Sequence, residues 1–455
     1  MQHTNNSKTG YHKLIKRLAN DQKVESLKAL LKELNSVEIA SSFIYLKLKH
    51  RLAVIGLLEV KKASEVLSHL QEHEPILEEI VKQMSTEVLG DLIEEMDMDD
   101  AADVMGMMDD TKAALVLDEL PQSERQEIEN LLMYDKESAG GIMDPHVVAI
   151  SKDITVAQAN KTIKSLVKSK EIDEFYAIYV IDEYLHLIGI VTLPQLFLAE
   201  GNSLIKNIMD PDIIAVDVDL DQEKVASIAK EYNLVTVPVI NKHLKLVGRI
   251  TSDDLMDVIY DEYNEDMGQA AGTGREEVLE KSVFKASRDR LPWLILGLIG
   301  GAIAAWVMSG YEASISSIPE VAYFIPVVAA LGGNIAIQSS SLVVRGLATG
   351  ELRTVDLFRR AWKEIKIGIL NGLACSVILF GLAWWISGSQ LIGGGTGFAL
   401  MVVVLLAAIV GTTVPMLLKK FNLDPAIATG PFITTTNDII GIIIYLAITI
   451  SVYTS

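Results

Sequence analysis

Five long apolar stretches after Arg290 constrain the fold of this chain more than any other feature of its sequence. Each is close to or longer than the ~20 residues that an α-helix needs to cross the hydrocarbon core of a bilayer. The sequence therefore predicts an α-helical transmembrane domain with five spans at residues 287–455. The predicted spans are Leu291–Gly310, Pro319–Val344, Ile367–Gly388, Gly397–Leu418 and Pro425–Tyr453.

Basic residues in the connections predict how the spans are oriented, because Lys and Arg collect on the cytoplasmic side of membrane proteins. We therefore expect a multi-pass protein of the plasma (inner) membrane, in contact with lipid, with its N-terminal part in the cytoplasm and Ser455 outside. The basic clusters precede the first span (Lys281, Lys285, Arg288, Arg290), separate the second from the third (Arg345, Arg353, Arg359, Arg360, Lys363, Lys366) and separate the fourth from the fifth (Lys419, Lys420).

A polar stripe interrupts the second span. Its members recur at intervals of four, three and four residues, which places them on one face of a helix. Polar groups at membrane depth are tolerated where they line protein or a water-filled cavity. The preceding Gly332 and Gly333 are interpreted as helix-packing residues. The stripe consists of Asn334, Gln338, Ser341 and Arg345.

Asp438 is the only acid well inside a predicted span, and it shares a helical face with Thr434 and Pro431. A carboxylate at that depth costs at least ~2.5–3.5 kcal/mol on insertion scales and usually marks the path of an ion. Pro431, like Pro326 and Pro415, would also free a backbone carbonyl one turn earlier in its span. The sequence therefore predicts an ion path beside Asp438.

The part of the chain before Leu291 is strongly acidic. The whole chain has 60 acids and 40 basic residues, but only seven acids and eight basic residues lie from Leu291 onward. An acidic body repels phosphate, so nucleic acid is excluded as a partner. The sequence contains no phosphate-binding loop, nucleophile–base pattern or His/Cys metal cluster, so an enzyme is not expected.

Two segments of this acidic part repeat each other. Both begin with Met-Asp-Pro, at Met143 and Met209, and both end with Gly-x-x-Thr, at Thr192 and Thr251. Each predicts a helix, two short strands and a second helix after the threonine, and the first has extra residues around Lys168–Phe175. The pattern resembles a tandem pair of α+β CBS domains. We place the pair at 143–258, with copies at 143–200 and 209–258.

CBS pairs commonly bind adenine nucleotides, and the resemblance implies one such position here. Thr251 and Asp254 match the Thr-x-x-Asp that holds a ribose in these modules. In the first copy Thr192 is followed by Gln195 at the position of the acid, which argues against nucleotide binding there. A threonine followed by an acid is also an ordinary helix N-cap, so ATP binding and simple capping are both open for Thr251.

Short amphipathic segments repeat about every twelve residues ahead of the CBS pair. Such a period predicts stacked short helices, a helical solenoid, and we assign residues 1–142 to this all-α domain. Its dense acidic run includes Asp99, Asp100 and Asp103. These carboxylates are interpreted either as solvated helix faces or as cation ligands.

Seven of the fourteen residues from Asp253 to Asp266 are acids, and none is basic. On a helix they form a carboxylate stripe in which each like-charge pair costs ~0.2–0.5 kcal/mol. We predict a connecting helix at 253–286 that leads into the first span. Hard divalent cations would offset the repulsion, and the alternative is a solvated linker without metal.

These features together resemble the MgtE family of magnesium channels over nearly the whole chain. The resemblance implies a homodimer whose pore lies on the two-fold axis between the second and fifth spans, with Asp438 binding hydrated Mg²⁺. Asn334, Gln338 and Thr434 are expected to line the pore with it. The motifs that carry the resemblance are Gly332-Gly333-Asn334, Gln338-Ser339, Arg345, Asp424-Pro425-Ala426 and Asp438.

The resemblance also implies a gate that cytosolic Mg²⁺ closes by linking acids of the helical domain, the CBS pair and the connecting helix. Asn233 stands where the family pattern has another acid. The implied regulatory ligands are Asp221, Glu223, Asp254, Asp257, Glu262, Glu265, Asp266 and Asp424, with Asp99, Asp100 and Asp103 in the helical domain.

The expected function is passive conduction of Mg²⁺ into the cell, gated by cytosolic Mg²⁺, with ATP as a second expected ligand. Two alternatives remain open. One is a transporter of Mn²⁺ or Co²⁺. The other is a membrane-anchored nucleotide sensor that conducts nothing, for which an acid inside a span would have no use.

Overall fold

The computed structural model describes residues 11–21, 23–168, 175–273, 283–348, 351–352, 354–421, 423–428 and 430–454. The chain divides into two compact units, Met1–Tyr260 and Asp261–Ser455. The first unit holds a helical domain and two small sheets, and the second holds the long apolar helices. This combination confirms the predicted multi-domain fold class.

The first unit opens with ten short helices: α1 (Tyr11–Asn20), α2 (Val24–Glu33), α3 (Ser36–Phe43), α4 (Leu48–Ile55), α5 (Val60–Ser68), α6 (Glu74–Gln83), α7 (Thr86–Glu94), α8 (Met98–Gly106), α9 (Asp110–Glu119) and α10 (Gln122–Leu131). Alternate helices pack together, with α3 on α5, α5 on α7 and α7 on α9 in one row. In the other row α4 packs on α6, and α8 packs on α10. This is the neighbour-to-neighbour stacking of a solenoid.

Two lysines at equivalent places show a longer repeat within the helical domain. Nζ of Lys62 on α5 donates to the carbonyls of Leu31, at 2.9 Å, and Leu34 at the end of α2. Nζ of Lys112 on α9 donates to the two equivalent carbonyls at the end of α6, each at 2.7 Å. A cation that satisfies the last carbonyls of a helix also complements its dipole. Each lysine therefore closes a four-helix module, α2–α5 or α6–α9.

The two sequence repeats form two sheets of identical topology. The first copy comprises β1 (Ala149–Ser151), α11 (Val156–Lys168), β2 (Ala177–Ile181), β3 (Leu187–Thr192) and α12 (Leu193–Leu198), and the second comprises β4 (Val216–Asp217), α13 (Gln222–Tyr232), β5 (Val237–Ile240), β6 (Leu246–Ile250) and α14 (Ser252–Ala271). In each sheet the first strand pairs parallel with the second, which pairs antiparallel with the third. The extra residues expected in the first copy fall largely at 169–174, outside the described residues.

The predicted connecting helix at 253–286 ends earlier than expected. α14 stops at Ala271 because Gly272 has a φ of +69°, in the left-handed region that favours glycine. The N–H groups of Gly272 and Thr273 donate to carbonyls three and five residues earlier, at 3.1 and 2.8 Å. These are the two bonds of a Schellman motif, which terminates a helix. Residues 274–282 lie outside the described part of the chain.

Among its described residues the second unit contains five apolar helices long enough to cross a membrane, which confirms the number of predicted spans. The unit comprises α15 (Val283–Gly310), the short α16 (Glu312–Ser317), α17 (Ile325–Ala348) preceded by a 3₁₀ segment at Pro319–Phe324, α18 (Leu357–Ser387), α19 (Gln390–Lys420), a 3₁₀ turn at Pro425–Ala428 and α20 (Pro431–Thr454). Within it, α19 packs against α17, α18 and α20, and α15 packs against α20.

The third span begins ten residues before the predicted Ile367, at Leu357. Within this first part, Nη2 of Arg360 pairs with Oε1 of Glu364 at 2.6 Å, and Glu364 is only 4% exposed. Because the ion pair neutralises both charges, these two residues fit on the packed side of a helix, although their polarity predicted a connecting loop.

Two of the three prolines expected to free a backbone carbonyl within a span lie instead in the first turn of a helix. Pro326 is the second residue of α17, and Pro431 is the first residue of α20. The first turn of a helix does not use its N–H groups, so proline is accommodated there. Neither of these two prolines therefore removes a hydrogen bond from the interior of a span helix, and of the three only Pro415 lies inside a helix.

Candidate functional site

Asp438 on α20 lies beside the glycine pair of α17. A Cβ atom added to Gly333 would lie 3.6 Å from Asp438 Oδ1 and 3.7 Å from the methyl carbon of Thr434. The carboxylate is partly exposed and, within the described part of the chain, accepts no hydrogen bond. The structure therefore brings Asp438 and Thr434 together beside Gly333 of the second span. The negative charge of Asp438 remains available to another ligand.

The other glycine of the pair, Gly332, allows α17 to pack closely against α20 and α19. A Cβ atom on Gly332 would lie 2.6 Å from Asn437 Nδ2 and 2.9 Å from Val403 Cγ1, so only glycine fits. This contact agrees with the interpretation of Gly332 as a packing residue, whereas at Gly333 a Cβ atom would have room. Asn437 is 3% exposed, and its Nδ2 has no hydrogen-bond partner among the described residues. Sequence reasoning missed Asn437, whose signal is an amide directly before the mid-span acid.

The predicted polar stripe faces away from the other helices of the second unit. Asn334, Gln338, Ser341 and Arg345 are all exposed, on the side of α17 opposite to its buried residues. In the described chain neither amide side chain hydrogen-bonds to another residue, so neither is brought to Asp438 of the same chain. Polar groups in that position are costly against hydrocarbon. The stripe therefore requires water or more protein in front of it.

Thr434 and Asp424 use their side chains to shape the start of the fifth span. Thr434 Oγ1 donates to the carbonyls of Gly430 and Pro431, both at 3.0 Å, where Gly430 turns the chain with a φ of +59°. The exposed Asp424 accepts a hydrogen bond from the N–H of Ala426 at 2.8 Å, which starts the 3₁₀ turn. Both side chains therefore have a structural use beside any role toward an ion.

In the first unit, Thr251 and Asp254 form a helix cap. Oδ2 of Asp254 accepts from the backbone N–H of Thr251 at 2.9 Å and from its hydroxyl at 2.5 Å. Thr192 and Gln195 form a full capping box at the same place in the first copy, with a 2.8 Å bond from the Thr192 N–H. The capping role is therefore present in both copies, whether or not a nucleotide binds to the second.

The negative charge of an acid in the second CBS copy raises the pKa values of acids in the helical domain. Burial, followed by the negative charge of Asp254, raises the pKa of Asp99 well above its ordinary value. Burial likewise raises the pKa of Asp100 to about 7, against a hydrogen bond from Ser68 and with the charges of Asp97 and Asp254 adding to the effect. Oδ1 of Asp99 is inaccessible and has no hydrogen-bond partner among the described residues. A cation would relieve this repulsion.

Burial also raises the pKa of Asp254, although the hydrogen bonds from Thr251 oppose the effect. These carboxyl groups come from segments far apart in sequence, and the structure places them in one acidic cluster, defined here as Asp99, Asp100 and Asp254. Asp103 lies near enough to act on the pKa of Asp100. Across the described ranges, however, no three His, Cys, Asp or Glu side chains converge in metal-ligand geometry.

The remaining predicted regulatory acids are spread along two helices. Asp221 caps α13 by accepting from the N–H of Lys224 at 3.3 Å, and Glu223 follows in the first turn. Asn233 ends that helix with a φ of +54°, a left-handed conformation that asparagine tolerates better than most residues. The others lie along α14, partly or fully exposed: Asp257, Glu262, Glu265 and Asp266.

The raised pKa values predict that the metal-free protein loses stability as the pH rises. The carboxyl groups of the acidic cluster bind protons more tightly in the folded chain than in the unfolded chain, so the stabilisation is present below the ordinary pKa of 3.8. This stabilisation decreases as the pH rises above 3.8, and the part due to Asp100 is lost at about pH 7, where the folded side chain ionises. We expect the melting temperature without divalent cations to fall between pH 5.5 and pH 8. Asp100→Asn should raise it by roughly 3 °C at pH 7.5.

Differential scanning fluorimetry of the purified protein would measure this effect. Glu25→Gln, at an exposed position of α2, is a matched control and should change neither the slope nor the melting temperature. A melting temperature that rises with pH over the same window would contradict the interpretation of the acidic cluster.

Five membrane helices, a carboxylate within one of them and a soluble N-terminal part define a membrane transporter. The family model described as "Divalent cation transporter" (MgtE) matches residues 325–448, and that of the MgtE intracellular N domain matches 34–137. The CBS domain model matches 139–200 and 205–261. The chain belongs to the MgtE family.

Similar proteins cover nearly all of this chain. The magnesium transporter MgtE of Thermus thermophilus is 32% identical over 426 residues, 93% of this chain and 94% of the relative. That of Bacillus subtilis is 30% identical over 443 residues, 96% and 97% of the two chains. A crystal structure of the cytosolic domain of the Mg²⁺ channel MgtE in complex with ATP is 31% identical, with a TM-score of 0.50, over 54% of this chain and 99% of its own.

Proposed function

We propose that this protein is a homodimeric magnesium channel that passes Mg²⁺ into the cell down its electrochemical gradient. The observation that carries the proposal is the Asp438 carboxylate, which lies within a span beside Gly333 and accepts no hydrogen bond in the described chain. The relatives named magnesium transporters support the choice of ion.

The chemistry of the site suits an ion that keeps its water. Mg²⁺ dehydrates reluctantly and is usually bound through several waters by one or two carboxylates. One Asp438 from each of two copies would match its charge, while Asn334, Gln338 and Thr434 would offer amide and hydroxyl groups to the hydration shell. A filter that strips an ion of its water would need a denser ring of direct ligands.

The exposed polar stripe of α17 supports the homodimer. A single copy would present Asn334, Gln338, Ser341 and Arg345 to hydrocarbon, which is unfavourable. Two copies related by a two-fold axis would place both stripes around a shared aqueous path. The same arrangement would keep Asp438 within reach of water.

The distribution of basic residues supports a cytoplasmic N-terminal part and an external C-terminus. Basic side chains lie at the start of α15, the end of α17, the start of α18 and the end of α19, and alternate helix ends of this kind fall on one side of a membrane. Those within the described residues are Lys285, Arg288, Arg290, Arg345, Arg359, Arg360, Lys363, Lys366, Lys419 and Lys420.

The acidic cluster supports a gate that cytosolic Mg²⁺ closes. Asp99 of the helical domain and Asp254 of the second CBS copy repel each other, and burial leaves one oxygen of Asp99 without a partner in the described chain. Bound Mg²⁺ would offset this cost and hold the two domains together. Along α14, Asp257, Glu262, Glu265 and Asp266 would extend the same effect, with Asp221, Glu223 and Asp424 as further ligands.

Ion flux into liposomes that contain the purified protein would test the proposed function. Mg²⁺ should enter, and Mn²⁺, Co²⁺ and Ca²⁺ should be carried more slowly, because a site that holds an ion through its waters favours a cation that gives up its waters slowly, as Mg²⁺ does. Faster flux of Mn²⁺ or Co²⁺ would favour the alternative cargo. An absence of flux for every ion would favour the membrane-anchored nucleotide sensor.

We also propose that the second CBS copy binds ATP through Thr251 and Asp254, supported by the ATP complex of the similar cytosolic domain. Because Asp254 already accepts two hydrogen bonds from Thr251 and belongs to the acidic cluster, ribose and Mg²⁺ would compete for it. Calorimetry should show that Thr251→Val weakens ATP binding by about tenfold, the loss of one hydrogen bond.

Thr192→Val is the matched control, because it removes the equivalent cap of the first copy. It should leave ATP binding unchanged. If neither variant changes the heat of ATP binding, or if the wild type gives none, Thr251 serves only as a cap.

A further inference from the structure

The first turns of α18 carry a basic and aromatic surface that faces away from the protein. Phe358 is 87% exposed and Trp362 is 56% exposed. Arg359, Lys363 and Lys366 are exposed beside them. The spacing of four and three residues between the basic side chains places all three on one side of the helix. We refer to these three residues as the basic face.

The basic face continues directly into an apolar, exposed stripe on the same side of α18. Leu370, Leu373 and Val377 follow Lys366 by four, seven and eleven residues, and they are 72%, 56% and 62% exposed. The stripe lies within a span, where its natural neighbour is the hydrocarbon of the bilayer. The basic face therefore lies on the lipid-facing side of α18, at the level where acyl chains meet their headgroups.

In the part of the chain that the structure describes, no acidic side chain forms an ion pair with the basic face. The single acid of α18, Glu364, is buried on the opposite side, where it pairs with Arg360 at 2.6 Å and accepts from Ser339 Oγ at 3.0 Å. Within the described ranges Arg359 and Lys363 form no ion pair. Nζ of Lys366 lies 5.8 Å from the ring centroid of Trp362, an arrangement that leaves its charge exposed.

We propose that the basic face binds the phosphate headgroups of anionic phospholipids. Charge complementarity selects these lipids over zwitterionic ones, because each basic residue near an anionic membrane surface contributes about 1 kcal/mol, which is about fivefold in affinity. One acyl chain would lie along Leu370 and Leu373, and Trp362 would anchor the helix at the interface, where tryptophan is enriched. The site is independent of the ion that the protein conducts.

Quenching of tryptophan fluorescence by brominated lipids tests the proposal on the full chain in lipid nanodiscs. The signal of Trp362 is obtained as the difference between the wild type and Trp362→Phe. Brominated phosphatidylglycerol in a phosphatidylcholine bilayer should quench Trp362 more strongly than the same amount of brominated phosphatidylcholine. The double variant Lys363→Gln/Lys366→Gln should remove this preference, because two charges correspond to about 25-fold.

The double variant Lys419→Gln/Lys420→Gln changes the net charge equally at the end of another span and should retain the preference. Equal quenching by the two lipids in the wild type would overturn the proposal, as would equal loss in both double variants. If neither lipid quenches Trp362, protein covers the basic face and the proposal is wrong. A salt titration of the wild type needs no variant: about 0.5 M KCl should weaken only the quenching by phosphatidylglycerol.

Discussion

Replacement of Asp438 by alanine is expected to abolish Mg²⁺ uptake while the protein remains folded. The variant loses one carboxylate from each of two copies, and a hydrogen bond to a charged group is worth about 1.5–3 kcal/mol. The combined loss corresponds to at least a hundredfold in flux, on the order of 3 kcal/mol or more. Because the carboxylate accepts no hydrogen bond in the described chain, its removal leaves no protein donor unpaired, and folding should be little affected.

Flux assays in liposomes would measure the loss, and a matched control separates it from a general effect of removing a membrane acid. Glu364→Gln removes another acid of a span helix but keeps an acceptor for Ser339 and Arg360, so uptake should persist. Asp438→Asn distinguishes a need for charge from a need for oxygen. Uptake at the wild-type rate by folded Asp438→Ala would exclude this residue from the ion path.

The double variant Asp257→Ala/Glu262→Ala is expected to keep the channel open at Mg²⁺ concentrations that close the wild type. Only a difference in ion occupancy between the closed and open states can move the gate. A shift from 1:99 to 99:1 needs a ratio of about 10⁴, which four ions supply if each prefers the closed state about tenfold. Loss of two ligands lowers the preference of the bound ions for the closed state. The remaining acids still repel one another, which favours the open state.

Patch recordings with Mg²⁺ varied on the cytoplasmic face would measure this inhibition. Limited proteolysis within α14 should show protection that increases with Mg²⁺ in the wild type and less so in the double variant. Glu25→Ala/Glu33→Ala changes the charge equally at exposed positions of α2 and should gate normally. Inhibition that survives removal of residues 1–280 would place the sensor outside the soluble part.

The sequence was most informative where a single physical requirement dominates. The number of spans follows from the length of the apolar stretches, and Asp438 is conspicuous because a lone acid in hydrocarbon needs a reason. The start of the third span was not predictable in the same way. Hydropathy counts Arg360 and Glu364 as two polar residues, whereas in the folded chain they neutralise each other as an ion pair.

Contacts between segments that are distant in sequence were the main feature that the sequence alone could not predict. No local pattern relates Asp99 to Asp254, because they meet only after a solenoid and a CBS pair have folded against each other. Asn437 was missed since a buried amide has the same sequence signal as an exposed one. The end of α14 could have been inferred from Gly272, but a long acidic run before it favoured a longer helix.

The lysine-closed modules of the helical domain have a consequence for how such a domain can change over time. Lys62 and Lys112 each donate to backbone carbonyls of the four-helix module to which the lysine belongs. Each module therefore contains both the donor and the acceptors of these bonds. Asp99 lies in the second module, on α8. An ancestral duplication or deletion of the first module would therefore alter the reach of the domain without rebuilding the acids that face the CBS pair. The length of the domain can therefore change while the acidic cluster stays the same.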